Sequence, residues 1–322
     1  MRRAVFLGSG SALPRRALTN AELALQVDTS DEWIRERTGI TQRHVAGEGE
    51  TTSTLAIEAA RNALDNAGLT IAEIDLIVLA TTTPDLTFPS TATIVQNALG
   101  GAGFAAFDVS AVCTGFIYAL ATAESMIRTG LATKALVIGA ETLTRLIDWE
   151  DRTTCVLFGD GAGAFVIGAG PEDDATETGF LATQLHADGA HRDLLFTDGG
   201  VSTTGTSGHM RMKGREVFRH AVVNLAQVLQ DVLAKSGYEA ADIDWVVPHQ
   251  ANARILEATA RKLNLPMSRM VVTVDRHANT SAASVPLAFD TAWRDGRIKR
   301  GQLVMLEAMG GGFTWGASLL RV

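Results

Sequence analysis

The chain has 322 residues, 46% of them hydrophobic and 20% charged, and a formal net charge of −8. That length gives ample core for one large α/β unit or two fused halves, and the acidic balance argues against general nucleic-acid binding. Two cysteines, Cys113 and Cys155, form no disulfide framework and point to a reducing compartment.

Arg2 and Arg3 precede an apolar run that Gly8-Ser9-Gly10 halts, so neither a signal peptide nor a membrane-length segment is expected, and the protein is placed in the cytoplasm. Val5 to Gly10 predicts a strand leaving into a glycine loop. Leu13 stands where a dinucleotide fingerprint needs its third glycine, which weakens that reading. Residues 29–40 carry Trp33, Arg35 and Arg37, with Gly39 as C-cap. The stripe Leu55, Ala59, Ala63 and Leu64 predicts an amphipathic helix over 52–67, closed by Gly68. Residues 74–80 read as a strand buried on both faces, and 90–99 as a helix.

Residues 104–109 have β character, and helical spacing begins at Gly115 and runs to Ile127. Cys113 lies at this junction. A thiol there faces the unpaired amides and positive end of a helix, which predicts a pKa below the usual value of about 8.5. The alternative is a buried cysteine acting as a small hydrophobe. A strand follows at 135–138 and another apolar strand at 154–158, where Cys155 reads as buried and inert. Gly159-Asp160-Gly161-Ala162-Gly163 suggests a phosphate cradle, but an apolar run follows it where a helix should open, so a turn between strands is favoured.

The second half repeats the first. Gly68 followed by Ile74-Asp75 and an apolar strand matches Gly237 followed by Ile243-Asp244 and Trp245-Val246-Val247 at one offset. Ala135-Leu136-Val137 answers Gln302-Leu303-Val304, and the run Gly163 to Ile167 answers Gly316 to Leu320. On this frame Cys113 falls close to Asn279, each after a short β run; for Asn279 that run is 271–274. The acidic stretch 171–178 is the natural joint, giving halves at 1–170 and 171–322. A duplicated α/β unit with pseudo-twofold symmetry follows, with its site where strand ends of both halves meet.

His249 leaves a buried-type strand in Pro248-His249-Gln250-Ala251-Asn252, with a helix expected over 253–263, and Asn279 sits in a loop of small polar residues. With Cys113 they form a Cys–His–Asn set that has two chemical readings. In one, His249 deprotonates the thiol and Asn279 orients the imidazole, as in papain-like hydrolases. In the other, His249 and Asn279 both donate to one thioester carbonyl and stabilise an enolate, while Cys113 carries an acyl group.

Val112-Cys113-Thr114-Gly115-Phe116, Pro248 to Asn252, Asn279-Thr280-Ser281-Ala282-Ala283 and Gly310-Gly311-Gly312-Phe313-Thr314-Trp315-Gly316 resemble the β-ketoacyl-[acyl carrier protein] synthase III family, which has the thiolase fold. The segments 28–34 and 158–164 fit as well. The resemblance runs from Val5 to the C-terminus and implies an αβαβα architecture of five layers. It implies a condensing acyltransferase that starts type II fatty acid synthesis from a short acyl-CoA, acetyl-CoA first, and malonyl-acyl carrier protein. A synthase of secondary metabolism with another starter is the close alternative; a cysteine hydrolase is the distant one.

By the same resemblance Cys113 carries the acyl group, His249 and Asn279 hold the malonyl thioester oxygen, and the backbone N–H groups of Cys113 and Gly311 form an oxyanion hole. Trp33 and Arg152 sandwich the adenine of coenzyme A, Arg37 and Thr29 add contacts, and Gly214 and Asn252 line the pantetheine path. Phe88 crosses to close the partner's acyl pocket in a homodimer. Arg254, Arg215, Arg219 and Lys213 suit docking of an acidic carrier protein; the last three share a basic cluster with Arg211. No permanently bound cofactor or metal is implied. His277 receives no role. Thr114 replaces a smaller residue and is expected to alter pocket access.

Overall fold

A computed structural model describes residues 3–171 and 177–322. The strands β1 Ala4–Ala12, β2 Leu76–Ala80, β3 Ala105–Val109, β4 Lys134–Glu141 and β5 Gly161–Ala169 form one sheet in the order β1-β5-β4-β2-β3. The strands β6 Gly179–Ala187, β7 Trp245–Pro248, β8 Leu303–Gly310 and β9 Thr314–Arg321 form a second sheet in the order β7-β8-β9-β6. In each sheet a parallel pair, β2/β4 or β7/β8, continues into an antiparallel pair, β4/β5 or β8/β9. The duplication reaches individual hydrogen bonds: the Asp75 amide donates to the Lys134 carbonyl and the Asp244 amide to the Leu303 carbonyl, each at 3.0 Å.

The helices are α1 Asp31–Thr38, α2 Thr52–Ala67, α3 Thr91–Leu99, α4 Gly115–Arg128, α5 Gly214–Ser236, α6 Ala253–Lys262 and α7 Ser284–Arg294. Strand residues pointing one way, such as Ile77 and Leu136, pack under α2, while their neighbours Leu76 and Val137 join Phe116 of α4 and Phe289 of α7. Val304 and Leu306 of the second sheet meet the same central helices, and Met305 and Leu319 face α5 and α6. Because side chains alternate along a strand, each sheet is buried on both faces and the layers stack as αβαβα. No helix among the described residues is long and apolar enough to cross a membrane.

Helix α2 spans the expected residues. Thr51 caps its first turn, and Gly68 ends it in the left-handed region at φ 66°, where a Cβ costs about 1 kcal/mol. The glycine loop expected after Val5 is instead the middle of β1. A Cβ at Gly8 would stand 2.6 Å from the Ala67 amide nitrogen, so these glycines let helix α2 lie against the strand. Gly161 and Gly163 likewise lie inside β5, where a Cβ at Gly163 would stand 2.7 Å from the Leu287 amide nitrogen of α7.

Residues 154–157 form a turn, and of the expected strand only Phe158 keeps a single β-bridge, to Asn279. The buried Arg43 guanidinium donates to the Val156 carbonyl at 2.8 Å, and local bonds such as Leu157 N–H to the Thr154 carbonyl close the turn. The β run expected at 271–274 is reduced to a single bridge between Met270 and Val246. Gln250 explains why: its Oε1 accepts from the Thr273 and Val274 amides at 2.8 and 3.0 Å, turning the chain out of the sheet. The expected joint at 171–178 lies mostly outside the described residues.

Candidate active site

Cys113 sits in a single 3-10 turn, Val112–Thr114, which opens α4. Val112 is left-handed at φ 50°, a position a β-branched residue adopts only under strain. The second half copies the device. Ala278 and Ser281 are left-handed on either side of Asn279, and the turn Ser281–Ala283 opens α7. His249 follows β7, its amide held by the Glu307 carbonyl at 2.8 Å. All three side chains are buried, and all three line one cavity of about 500 Å³.

The neighbours of His249 set its tautomer. Its Nδ1 lies 2.6 Å from Ser284 Oγ, and that oxygen also accepts from the Gln250 amide at 3.3 Å. With the Gln250 amide on one lone pair of Ser284 Oγ, we assign the hydroxyl proton to Nδ1, which places the imidazole proton on Nε2. Burial pushes the pKa down to about 4, so the ring is neutral near pH 7. Asn279 is fixed in the same way: its Oδ1 accepts from the Ser281 amide at 3.0 Å, which leaves Nδ2–H free to donate. The site therefore holds two preset donors. Asn279 does not orient His249, as the papain-like reading requires.

Burial also pushes the Cys113 thiol up to about 12; the Ser281 hydroxyl opposes the shift and the Glu141 carboxylate adds to it. The lowered pKa expected from the helix terminus is thus overturned, because loss of water and a nearby carboxylate outweigh the helix end. Cys155 is buried away from the Cys113 cavity, with a thiol pushed up to about 11 by burial. The loop after β8 lies against the nucleophile: a Cβ at Gly310 would fall 2.6 Å from the Cys113 amide nitrogen. Gly311 has no such room either, since its Cβ would meet the Leu195 carbonyl oxygen at 2.7 Å. Only glycine permits this approach.

Residues 107–189 match the family described as 3-Oxoacyl-[acyl-carrier-protein (ACP)] synthase III, and residues 233–322 match the C-terminal part of that family. The beta-ketoacyl-[acyl-carrier-protein] synthase III of Erythrobacter litoralis is 72% identical over 100% of both chains. That of Novosphingobium aromaticivorans is 71% identical over 99% of each. The solved 3-oxoacyl-[acyl-carrier-protein] synthase III of Aquifex aeolicus superposes with a TM-score of 0.94 at 49% identity, over 99% of this chain and 100% of that one. The chain belongs to the β-ketoacyl-[acyl-carrier-protein] synthase III family.

In this synthase III the cavity opens past Asn252 and Gly214 to a rim that carries Arg37, Arg215 and Arg254. Asn252 caps α6 by accepting from the Ile255 amide at 3.0 Å. Beside the rim, the guanidinium carbons of Arg37 and Arg152 lie 4.9 and 5.1 Å from the centre of the Trp33 ring. Thr29 is close in sequence to that cluster, and its hydroxyl is buried without a hydrogen-bond partner. Lys213, Arg215, Arg219 and Arg254 are exposed, whereas Arg211 is held by Asp148 at 3.0 Å and Asp198 at 2.7 Å and so drops out of the basic cluster.

On the other side of Cys113 a second cavity of about 1020 Å³ is walled by Leu143, Leu146, Phe196 and Met210 and reaches Leu86. Phe88, 83% exposed, stands outside this chain's own cavity. Thr114 lines neither cavity, so it does not alter access. Its hydroxyl donates to the Thr314 carbonyl at 2.9 Å and ties the nucleophile's turn to β9. Ser284, Ser281, Gln250 and Glu141 are functional neighbours that sequence reasoning does not single out. The two serines follow Asn279 by two and five residues in the same polar, small-residue run, where a signal exists, whereas nothing in its own segment marks Glu141.

Proposed function

We infer that this condensing enzyme starts type II fatty acid synthesis, joining a short acyl group from acyl-CoA, acetyl-CoA first, to malonyl-acyl carrier protein through a Cys113 acyl-enzyme. The observation that carries this reading is that His249 and Asn279 line one cavity with a buried thiol, with Asn279 Nδ2–H and, by the assigned tautomer, His249 Nε2–H as donors. The Cys113 sulfur takes the acyl group and coenzyme A leaves. Malonyl-acyl carrier protein then binds. Its bond to carbon dioxide breaks, and the electron pair moves towards the thioester oxygen held by His249 and Asn279. The resulting carbon nucleophile attacks the acyl group on Cys113, giving a 3-oxoacyl-carrier protein and releasing the Cys113 thiolate. The backbone N–H groups of Cys113 and Gly311 hold the oxyanion of the acyl steps. No permanently bound cofactor is used.

Trp33 and Arg152 stack on the adenine of coenzyme A, which enters by displacing Arg152 from the ring. Arg37 and Thr29 add contacts, and Gly214 and Asn252 flank the pantetheine. Arg254, Arg215, Arg219 and Lys213 meet an acidic carrier protein at the rim. The chain acts in the cytoplasm as a homodimer, in which Phe88 crosses to close the partner's acyl pocket. The duplicated halves are 1–170 and 171–322.

Intact-protein mass with peptide mapping after exposure to a panel of acyl-CoAs tests this reading. An adduct on Cys113 from acetyl-CoA is expected; branched or longer donors alone would reassign the starter, and no adduct from any donor would remove the acyl-enzyme. Ser284→Ala frees Nδ1 and lets the proton move off Nε2. It should slow malonyl decarboxylation about tenfold, the equivalent of about 1.4 kcal/mol for one buried hydrogen bond. An unchanged rate would show that Ser284 does not set the tautomer.

A further inference from the structure

The acyl-transfer cycle must place one proton somewhere. The Cys113 thiol loses it on taking the acyl group, and the Cys113 thiolate needs it back when the product leaves. His249 is a poor store: Ser284 occupies its Nδ1, and burial pushes its pKa down to about 4, so the ring holds an extra proton weakly near pH 7. A different route leads from the thiol. Ser281 and Cys113 line the same second cavity, and the Ser281 hydroxyl is the polar side chain that eases the rise of the thiol pKa. It also donates to Glu141 Oε1 at 3.2 Å, across 140 residues of chain.

Glu141 ends β4 and is fully buried. Thr83 Oγ1 donates to its Oε2 at 2.7 Å, and Thr82 donates through both its amide and its hydroxyl at 3.0–3.2 Å. Thr81 Oγ1 adds a longer bond at 3.3 Å. These partners are hydroxyls and an amide, and no cation among the described residues joins them. The ionisable group facing Glu141 is Cys113; beyond the neighbouring hydroxyls, Asp85 is held by Thr51 and Ser53. A carboxyl buried without a cation does not stabilise the fold through ion pairing.

We propose that Glu141, reached through the Ser281 hydroxyl, takes the thiol proton during acylation and returns it after condensation. In the forward step the Cys113 S–H bond breaks towards Ser281 Oγ as the Ser281 O–H proton passes to Glu141, and the sulfur bonds to the acyl carbon. Coenzyme A departs as its thiolate and is protonated by solvent. In the return step the 3-oxoacyl product leaves, the Cys113 thiolate recovers a proton from Ser281, and Glu141 gives its proton back to Ser281. One proton is borrowed and returned, and the one net proton consumed comes from solvent. Burial raises the Glu141 carboxyl to about 7, against the bonds from Thr83, Thr82 and Ser281, so a carboxylate ready to accept prevails above that pH.

This inference rests on the Cys113 acyl-enzyme reading, and the test separates the two. Acylation by acetyl-CoA and decarboxylation of malonyl-carrier protein are measured separately from pH 5.5 to 9.5 on the wild type, Glu141→Gln and Ser281→Ala. In the wild type, acylation should rise through about pH 7 and then level off. Both variants should acylate about a hundredfold more slowly near pH 7.5. Their rates should keep climbing about tenfold per pH unit as direct thiol ionisation takes over, while decarboxylation falls far less. Equal losses in both half-reactions, or a pH profile like the wild type's, would overturn the relay and leave Glu141 a structural residue. A wild type that forms no adduct would instead remove the acyl-enzyme reading itself.

Discussion

Cys113→Ala is expected to abolish the acyl adduct and cut condensation by at least about 10⁴-fold, the scale on which covalent enzymes lose activity with their nucleophile. Decarboxylation of the malonyl thioester should persist, because the two donors do not depend on the sulfur: His249 is set by Ser284 and Asn279 by the Ser281 amide. The fold should tolerate the change, since alanine removes one buried atom and leaves no polar group unpaired. Intact mass and separate assays of the two half-reactions decide the outcome. An adduct of unchanged mass on the variant would put the nucleophile elsewhere, and Cys155, buried in its turn with a thiol pushed up to about 11, offers no accessible replacement.

Asn279→Asp reverses one donor at nearly constant shape. The new carboxylate can still accept from the Ser281 amide as Oδ1 does now at 3.0 Å, so the loop keeps its anchor. Its second oxygen replaces Nδ2–H with an acceptor that repels the developing enolate. The loss should exceed the 10²–10³-fold expected for deleting one preorganised donor, so about 10³-fold or more in decarboxylation. Acylation by acetyl-CoA should suffer much less, because the oxyanion hole proposed for that step is built from backbone N–H groups on the Cys113 side. Decarboxylation within tenfold of wild type would show that Asn279 does not touch the reacting oxygen.

Both variants probe residues that the amino-acid sequence already marks, and other parts of the chain are legible there to different degrees. Helix α2 is legible because its signals are local: an apolar stripe, a threonine cap and a glycine that alone fits the left-handed end. The duplication is legible because Gly68, Ile74 and Asp75 recur at one offset as Gly237, Ile243 and Asp244. The register of the next strand is not, since in the sheets Ala135 takes the place of Val304 and not of Gln302. The strand expected at 154–158 does not form, because a short apolar run satisfies a buried turn as well as a sheet. Arg43 supplies the partner that a ladder would have given Val156. The glycines of β1 and β5 read as turns because the helix atoms that forbid a Cβ there belong to distant sequence.

Residue type, order and spacing suffice for the αβαβα class, the family and the trio Cys113, His249 and Asn279. The surroundings that bear on the part proposed for each of the three exist only in the folded chain. The thiol's rise to about 12, the Nε2–H tautomer and the direction of the Asn279 amide come from loss of water and from Ser284, Ser281 and Glu141. Protonation state and hydrogen-bond direction are properties of a three-dimensional neighbourhood, and Ser281 links Cys113 to Glu141 only when the two halves close on each other.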